Sequence, residues 1–244
     1  MLIRDKKNIL ITGSSQGIGL AIAKHFACKY NVFITGRYGE KLKNLCNENN
    51  FAGFIPCDLS KFENIEDFHK KLNTNIDILI NNAGSYIYSI IENYNNKDIY
   101  DSLMLNCAAP LILIKSFASH MKSQKWGRII NIGSISGVMG EANASLYSMT
   151  KASLIGMTKA LALELAQDNI TVNIINPGWV DTELINNENL QEDFSRNEII
   201  ETIPQRRFVT PEEIASVCEY LISDNAKSIT GQSINICAGL SLGY

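Results

Sequence analysis

Short apolar runs rich in β-branched residues alternate along this chain with longer stretches in which apolar residues recur at helical spacing. Most of the short runs are apolar at every position, which is typical of strands covered on both faces of a parallel sheet. The strand candidates are Asn8–Thr12, Asn31–Thr35, Phe51–Cys57, Asp77–Ile80, Arg128–Ile132, Thr171–Ile175 and Ser233–Cys237. The helix candidates are Gly17–Tyr30, Glu40–Asn49, Ile65–Leu72, Lys97–Ser123, Ser145–Gln167 and Pro211–Ile222. This alternation predicts an α/β fold, with a doubly wound, seven-stranded parallel sheet flanked by helices.

The chain of 244 residues shows no break in composition and no internal repeat, so a single domain over residues 1–244 is expected. One segment, Asp181–Thr202, is polar, rich in Asn and Glu, and poorly periodic. Long irregular segments in compact domains usually carry function, so we interpret residues 181–203 as the location of a substrate lid. The alternative is a variable surface excursion.

Composition excludes several classes of function. A formal net charge of -3 gives no reason to expect nucleic acid or an anionic membrane surface as partner. No run approaches the ~20 uninterrupted apolar residues of a membrane span, and the first residues lack the pattern of a signal peptide. The six cysteines form no C-x-x-C pair and the three histidines stand apart, so we expect no metal site and reduced thiols. A cytoplasmic protein is therefore predicted.

A glycine-rich turn joins the first strand candidate to the first helix candidate. It reads TGSSQGIG over Thr12–Gly19. Glycines let the backbone turn tightly and bring N–H groups up to a pyrophosphate, while the helix N-terminus adds partial positive charge. The alternative is an ordinary tight turn. The predicted cofactor contacts are Gly13, Ser14, Ser15, Gln16, Gly17, Ile18 and Gly19.

The end of the second strand candidate bears on which dinucleotide binds. An acidic residue there would accept hydrogen bonds from the adenosine ribose and favour NAD. The chain has Arg37 instead, within Thr35–Tyr38, and no carboxylate. A guanidinium can pair with a 2′-phosphate through charge-assisted bonds, so NADP(H) is preferred and NAD(H) remains possible. The alternative is a solvent-exposed arginine at the start of a helix.

Tyr147 and Lys151 are four residues apart and share one face of a helix candidate. A phenol has a reference pKa of about 10, and we expect the neighbouring ammonium to lower it toward the range useful for proton transfer. Ser134 follows the buried strand candidate Arg128–Ile132, and Asn81–Gly84 ends the strand before it. In open α/β sheets, ligands bind where parallel strands end, so these segments should meet.

Asn106 lies within the apolar helix candidate Lys97–Ser123. A buried asparagine is costly unless its amide is hydrogen-bonded. Two interpretations remain open: a structural polar bridge, or a water-holding relay to Lys151.

Together these segments resemble the short-chain dehydrogenase/reductase family over essentially the whole chain. The resemblance is carried by the glycine-rich turn, Asn106, Ser134, and the motifs CDL (Cys57–Leu59), NNAG (Asn81–Gly84), YSMTK (Tyr147–Lys151) and NPGWVDT (Asn176–Thr182). It implies a Rossmann fold, a nicotinamide cofactor and no metal.

The resemblance also implies roles for individual residues. Tyr147 would be the acid/base, Ser134 would hydrogen-bond the substrate oxygen, Lys151 would hold the nicotinamide ribose and tune Tyr147, and Asn106 would support a proton relay. The remaining cofactor contacts would be Asp58 and Leu59 at the adenine, Asn82, Ala83 and Gly84 at the ribose side, and Pro177, Gly178, Val180 and Thr182 around the nicotinamide.

Within the family, the stretches Gly127–Gly140, Leu154–Ala166, Ile170–Leu184 and Ile229–Gln232 resemble 3-oxoacyl-acyl-carrier-protein reductases. There are departures: Ala144 and Leu146 replace the usual glutamine and asparagine before the catalytic tyrosine, and Ala238–Gly239 replaces Gly-Gly. Arg128 remains as one basic residue that could dock acyl carrier protein.

The leading prediction is therefore an NADPH-dependent reductase of a 3-oxoacyl thioester. The alternatives are a dehydrogenase of a sugar, polyol or other secondary alcohol, and a nucleotide-binding protein without turnover, against which intact Ser134, Tyr147 and Lys151 argue. The helix candidates Lys97–Ser123 and Ser145–Gln167 carry more apolar residues than are needed to cover the sheet, which suits packing between subunits. The family that the chain resembles is usually tetrameric, so a homotetramer is predicted.

Overall fold

A parallel sheet of seven strands runs through the part of the chain that the computed structural model describes, residues 6–183 and 195–242. The strands are β1 (Asn8–Ile11), β2 (Asn31–Gly36), β3 (Gly53–Pro56), β4 (Ile78–Asn81), β5 (Gly127–Ile132), β6 (Ile170–Pro177) and β7 (Ser233–Ile236). Their order across the sheet is β3-β2-β1-β4-β5-β6-β7, and every neighbouring pair is parallel. The predicted doubly wound α/β fold is confirmed, with strand ends within two residues of those expected.

Helices connect the strands across both faces of the sheet. They are α1 (Gly17–Phe26), α2 (Gly39–Asn49), α3 (Phe62–Glu66), α4 (Phe68–Leu72), α5 (Asn96–Leu103), α6 (Ala109–Gln124), α7 (Ser136–Met139), α8 (Ser145–Leu165), α9 (Arg196–Thr202) and α10 (Pro211–Ile222). Short 3₁₀ turns lie at Ile91–Asn93, Ala166–Asp168, Asp224–Ala226 and Leu240–Leu242. Thr210 caps α10 in a reciprocal pair of bonds with Glu213.

Two of the predicted helices are interrupted. Residues 65–72 form parts of α3 and α4, which meet at Asp67. Between α5 and α6 the backbone widens into a π-helical turn, Met104–Ala108, that contains Asn106. Apolar periodicity continues through both interruptions, which is why it did not reveal them.

Two layers of core flank the sheet, as strands buried on both faces require. Ile9 and Ile11 pack with α1 and α10, whereas Leu10 between them packs with α6 and α8. Alternate side chains of one strand thus enter different layers.

The run Asn96–Gln124 has the length and composition of a membrane-spanning helix, with a mean hydropathy of 1.4. In this fold its apolar face is core: Leu113, Ile114, Phe117 and Met121 are buried in the layer that also contains β5 and α8 residues.

The order of the sheet places its switch point between β1 and β4, because the chain builds outward from β1 in one direction and later from β4 in the other. The carboxyl ends of these strands carry the glycine-rich turn and the segment Asn81–Gly84. About half of the predicted lid, residues 184–194, lies outside the described residues. Its last part is not irregular: Ser195 caps α9 with Glu198 in a capping box.

Candidate active site

The glycine-rich turn at the end of β1 is built so that only glycine fits at several positions. Gly13 and Gly17 have φ of +64° and +54°, in the left-handed region. A Cβ on Gly19 would lie 2.5 Å from the backbone oxygen of Gly13. The N-cap residue, Gln16, makes no side-chain bond to α1, so the first-turn N–H groups have no side-chain partner. These donors suit an anionic ligand.

Asn82 and Ser14 brace this turn. The Asn82 amide donates to the backbone oxygens of Thr12 and Gly13 at 2.9 and 3.1 Å. The Ser14 hydroxyl is buried and donates to the oxygen of Ile11 at 2.8 Å. Both side chains were predicted to contact the cofactor; their hydrogen bonds hold the loop that would do so. Ala83 contributes its N–H, which donates to the Thr12 hydroxyl.

Arg37 lies exposed just after β2, and none of the residues Thr35–Tyr38 at this strand end is acidic. It lines both the main cavity and a smaller pocket of about 130 Å³ that also contains Cys57 and Asp58. Asp58 accepts hydrogen bonds from the N–H and hydroxyl of Ser60. Leu59 is buried in the core and does not line this pocket.

Helix α8 and the end of β5 bring the predicted catalytic residues together. Tyr147 lies beside Ser134, whose hydroxyl opposes the rise of the phenol's pKa. The Lys151 ammonium lies over the Tyr147 ring, 5.6 Å from its centroid, and donates to the backbone oxygen of Ile132 at 2.9 Å. Lys151 is buried, with 4% of its surface exposed. Its bond to Ile132 leaves donors of this ammonium for a ligand.

The expectation that Lys151 lowers the pKa of Tyr147 is wrong for the chain on its own. Burial of the phenol raises its pKa to about 12; the hydroxyl of Ser134 works in the opposite direction, and the carboxylate of Glu141 adds to the rise. Burial also lowers the pKa of Lys151 to about 8. Loss of water around both groups therefore outweighs their proximity.

Asn106 is fully engaged by the protein. Its Oδ1 accepts from the N–H of Ser85 at 2.9 Å, and its Nδ2 donates to the oxygen of Ser85 and the hydroxyl of Thr150, both at 3.0 Å. These bonds tie the π-helical turn to α8 and to the loop after β4, and they favour the structural bridge of the two earlier interpretations. The site still lies close by, because a Cβ on Gly84 would be 3.2 Å from both Asn106 Oδ1 and Lys151 Nζ.

One cavity of about 630 Å³ extends from the glycine-rich turn to the region around Tyr147. The predicted site residues that line it are Ile18, Arg37, Asn82, Gly84, Ser134, Tyr147, Lys151, Pro177, Gly178, Val180 and Thr182. The predicted site residues that do not line the cavity are Gly13, Ser14, Ser15, Gln16, Gly17, Gly19, Asp58, Leu59, Ala83 and Asn106.

The sequence did not reveal the residues beyond Tyr147. Tyr86, Met139, Glu141, Trp179 and Leu240 also line the cavity. Trp179 stands within the motif NPGWVDT and Met139 within the stretch Gly127–Gly140, but the sequence analysis assigned neither of them to the site. The other three belong to no motif named above, and only the fold brings all five together.

Arg128 cannot dock a carrier protein. Its side chain is 1% exposed and donates to the oxygens of Gly127 and Asn169, with the guanidinium 4.4 Å from the centroid of the Trp126 ring. This earlier expectation is wrong, because an arginine within a strand buried on both faces has no free surface. Within the described ranges, no group of three or more His, Cys, Asp or Glu residues is placed to hold a metal ion.

Comparison with known proteins identifies the group to which this arrangement belongs. Residues 7–193 match the sequence profile of the short chain dehydrogenases. The chain belongs to this family.

Relatives of this short-chain dehydrogenase cover nearly its whole length. The 3-oxoacyl-(acyl-carrier-protein) reductase FabG of Buchnera aphidicola is 36% identical over 97% of this chain and 98% of its own. A solved structure of an actinorhodin polyketide ketoreductase with NADPH has 31% identity and a TM-score of 0.90, covering 99% of each chain. A putative NAD(P)-dependent gluconate 5-dehydrogenase from Beutenbergia cavernae with bound NADP has 29% identity and a TM-score of 0.91, covering 98% of each chain. The chain is thus an oxidoreductase of this family.

The residues present fit the dinucleotide that this family uses. The uncapped first turn of α1 offers N–H donors where a pyrophosphate would lie. At the other end of the same cavity, the buried Lys151 ammonium keeps donors for ribose hydroxyls.

Proposed function

We propose that this chain is a reductase that uses NADPH to convert the 3-oxo group of an acyl thioester into a hydroxyl. The observation that carries this proposal is the single cavity that joins Arg37 at one end to Ser134, Tyr147 and Lys151 at the other. The similarity to 3-oxoacyl-(acyl-carrier-protein) reductases and to a polyketide ketoreductase supports the same substrate class.

The cofactor would lie along this cavity, with its pyrophosphate at the glycine-rich turn and its 2′-phosphate beside Arg37. An arginine just after β2, where the strand end has no acidic residue, supports NADPH over NADH. The Asp58 carboxylate in the adjoining pocket is already hydrogen-bonded to Ser60. Lys151, Pro177, Gly178 and Val180 would bound the nicotinamide riboside. When bound, NADPH supplies the hydride.

The protein's own contribution is to bind the carbonyl and deliver a proton. Ser134 would donate a hydrogen bond to the substrate oxygen, and Tyr147 would protonate that oxygen as hydride arrives. The raised pKa of Tyr147, caused first by burial, keeps its phenol protonated at neutral pH, which suits an acid in the direction of reduction. Lys151 would fix the nearby ribose and favour the phenolate left after proton transfer.

The wall beyond Tyr147 supports an acyl substrate. Apolar side chains of Ile135, Met139, Trp179 and Leu240 line it, which suits a short acyl chain. The test is to incubate the protein with NADPH and acetoacetyl-N-acetylcysteamine and follow NADPH absorbance. Steady consumption that depends on the thioester supports the proposal, and its absence overturns it.

A second candidate is oxidation of a polyol or other secondary alcohol with NADP⁺. One observation favours it: Glu141 places a carboxylate, an acceptor for hydroxyl groups, on the wall of the cavity. The similarity to a putative gluconate 5-dehydrogenase is consistent with this chemistry. Turnover of sugars or polyols with NADP⁺, without reduction of the thioester, would select this function.

We further propose that the chain acts in the cytoplasm as a homotetramer that joins through α6 and α8. Large apolar side chains are exposed on these helices, including Leu111 at 48%, Met149 at 51% and Leu163 at 81%. Such a surface is costly in water and suits burial between subunits.

A further inference from the structure

Glu141 stands beside the predicted catalytic residues in a fixed position. Its Oε1 accepts from the hydroxyl of Tyr86 at 2.7 Å, and its Oε2 accepts from the hydroxyl of Ser136 at 2.6 Å. Ser136 in turn accepts from the hydroxyl of Ser134 at 3.1 Å. The ring of Tyr86 packs edge-on against that of Tyr147, with centroids 4.9 Å apart. Two hydroxyl donors thus hold the carboxylate within one hydrogen-bonded group that includes Ser134.

No other acidic side chain in the described part of the chain lines this cavity. The two basic residues that line the cavity lie elsewhere in it. Arg37 lies at the adenosine end, and the ammonium of Lys151 is turned to the backbone oxygen of Ile132. The same cavity is also lined by the apolar side chains of Met139, Trp179 and Leu240. A negative charge held at Glu141 acts on any charge that a substrate brings close to it.

We propose that Glu141 determines the charge specificity of the site: the cavity accepts carbonyl substrates that are neutral around the reacting carbon and rejects those with a carboxylate there. A second carboxylate close to Glu141 would lose part of its water and meet a like charge, while the Lys151 ammonium would be engaged by the cofactor ribose. A neutral thioester or a hydroxyl group meets no such cost, and a hydroxyl can donate to a free lone pair of the Glu141 carboxylate. Free keto acids are thus excluded while their thioesters are reduced.

This inference rests on the proposed function, and a matched pair of substrates tests it. Acetoacetyl-N-acetylcysteamine and acetoacetate carry the same ketone; the second has a carboxylate where the first has a thioester. We expect kcat/KM to favour the thioester strongly in the unmodified protein. In Glu141→Gln, which keeps the size of the side chain, the ratio of the two kcat/KM values should fall at least about tenfold, chiefly through faster reduction of acetoacetate.

Two further variants separate charge from shape. Glu141→Asp keeps the negative charge and should retain a preference close to that of the unmodified protein. Glu48→Gln removes an equal charge from the exposed face of α2 and should leave the ratio unchanged. An unchanged ratio in Glu141→Gln, or an equal fall in Glu48→Gln, would overturn the proposal.

Failure of the proposed function is recognised separately. If the unmodified protein reduces neither ketone, the thioester assignment falls, and the same charge rule is measured on sorbitol and gluconate with NADP⁺. Sorbitol should then be preferred, and Glu141→Gln should narrow the difference. The charge proposal is overturned if the unmodified protein and Glu141→Gln both show equal kcat/KM for sorbitol and gluconate. It is also overturned if neither pair of substrates is turned over.

Discussion

The ammonium of Lys151 lies over the ring of Tyr147, yet its hydrogen bond runs to the backbone oxygen of Ile132 at 2.9 Å. The structure therefore shows the ammonium beside the phenol ring without a direct bond to the phenol oxygen. Burying this charge has a cost, which appears as a pKa lowered by burial to about 8. The buried ammonium beside Tyr147 therefore lowers the free energy of unfolding.

Replacing Lys151 by Met should therefore stabilise the protein while abolishing turnover. The lysine has a pKa of about 10.5 when unfolded and about 8 when folded, so below pH 8 it is charged in both states and the folded state bears the full cost of burial. Between these values the unfolded state binds more protons, so the cost declines as pH rises. We expect Lys151→Met to gain on the order of 2–3 kcal/mol at pH 7 and much less near pH 10.5.

Urea unfolding of the cofactor-free protein at several pH values measures this difference. Lys43→Met, on the exposed face of α2, is the matched control and should change the free energy of unfolding little at pH 7. A lower stability of Lys151→Met at pH 7 would show that the bond to Ile132 outweighs the cost of burying the charge.

Tyr147→Phe should lose activity without losing the cofactor. The variant keeps the ring that packs against Tyr86 but removes the hydroxyl proposed to protonate the substrate oxygen, and general acids typically contribute about 10²–10⁴-fold. Steady-state rates with the thioester and a fluorescence titration with NADPH give the two quantities. Turnover close to normal would contradict the assignment of Tyr147 as the acid.

The parts of the site that could be predicted from the sequence are those marked by a pattern of residues close together in the chain. Glycines at a strand–helix junction and a Tyr–Lys pair at helical spacing are each constrained by local backbone geometry. The sign of the Tyr147 pKa shift could not be read in this way, because it depends on how much water the fold removes from the phenol. Burial of Arg128 was missed for the same reason: a charged residue in a strand gives no local sign that both faces are covered.

Residues that act through long-range contacts could not be found from one sequence. Glu141 follows a glycine in a loop, and nothing near it in the chain shows that Tyr86, 55 positions earlier, will meet it. The π-helical turn around Asn106 could not be predicted either, because the hydrogen bonds of Asn106 join it to Ser85 and Thr150 on other segments.

Exchange of Arg37 for Asp should weaken binding of NADPH far more than that of NADH. The substitution removes a charge-assisted partner of the 2′-phosphate and adds a repelling carboxylate, which together should raise the Kd for NADPH at least about tenfold. Lys43→Asp makes the same change of charge on the exposed face of α2 and should have little effect on either Kd. Equal weakening of both cofactors in Arg37→Asp would count against the preference for NADP.

Ala238→Gly should stabilise the protein slightly. Ala238 has a φ of +53°, in the left-handed region where a Cβ costs roughly 1–2 kcal/mol. Part of this gain is offset by the greater freedom of glycine in the unfolded chain, leaving about 0.5–1 kcal/mol. The neighbouring Gly239→Ala should act in the opposite direction, since its Cβ would lie 2.9 Å from Pro204. Thermal unfolding of the two variants measures both effects; a loss of stability in Ala238→Gly would show that its methyl group is needed for packing.

Leu163→Asp should break the proposed tetramer. Leu163 is 81% exposed on α8, and burial of this leucine between subunits would be replaced by burial of a charge. Light scattering of the unmodified protein should give about four times the chain mass of 27.1 kDa, and the variant a smaller assembly. Tyr38→Asp, an equally drastic change at an exposed position near the other edge of the sheet, should leave the mass unchanged. A mass of 27.1 kDa for the unmodified protein would refute the tetramer, because the apolar faces of α6 and α8 would then remain in water.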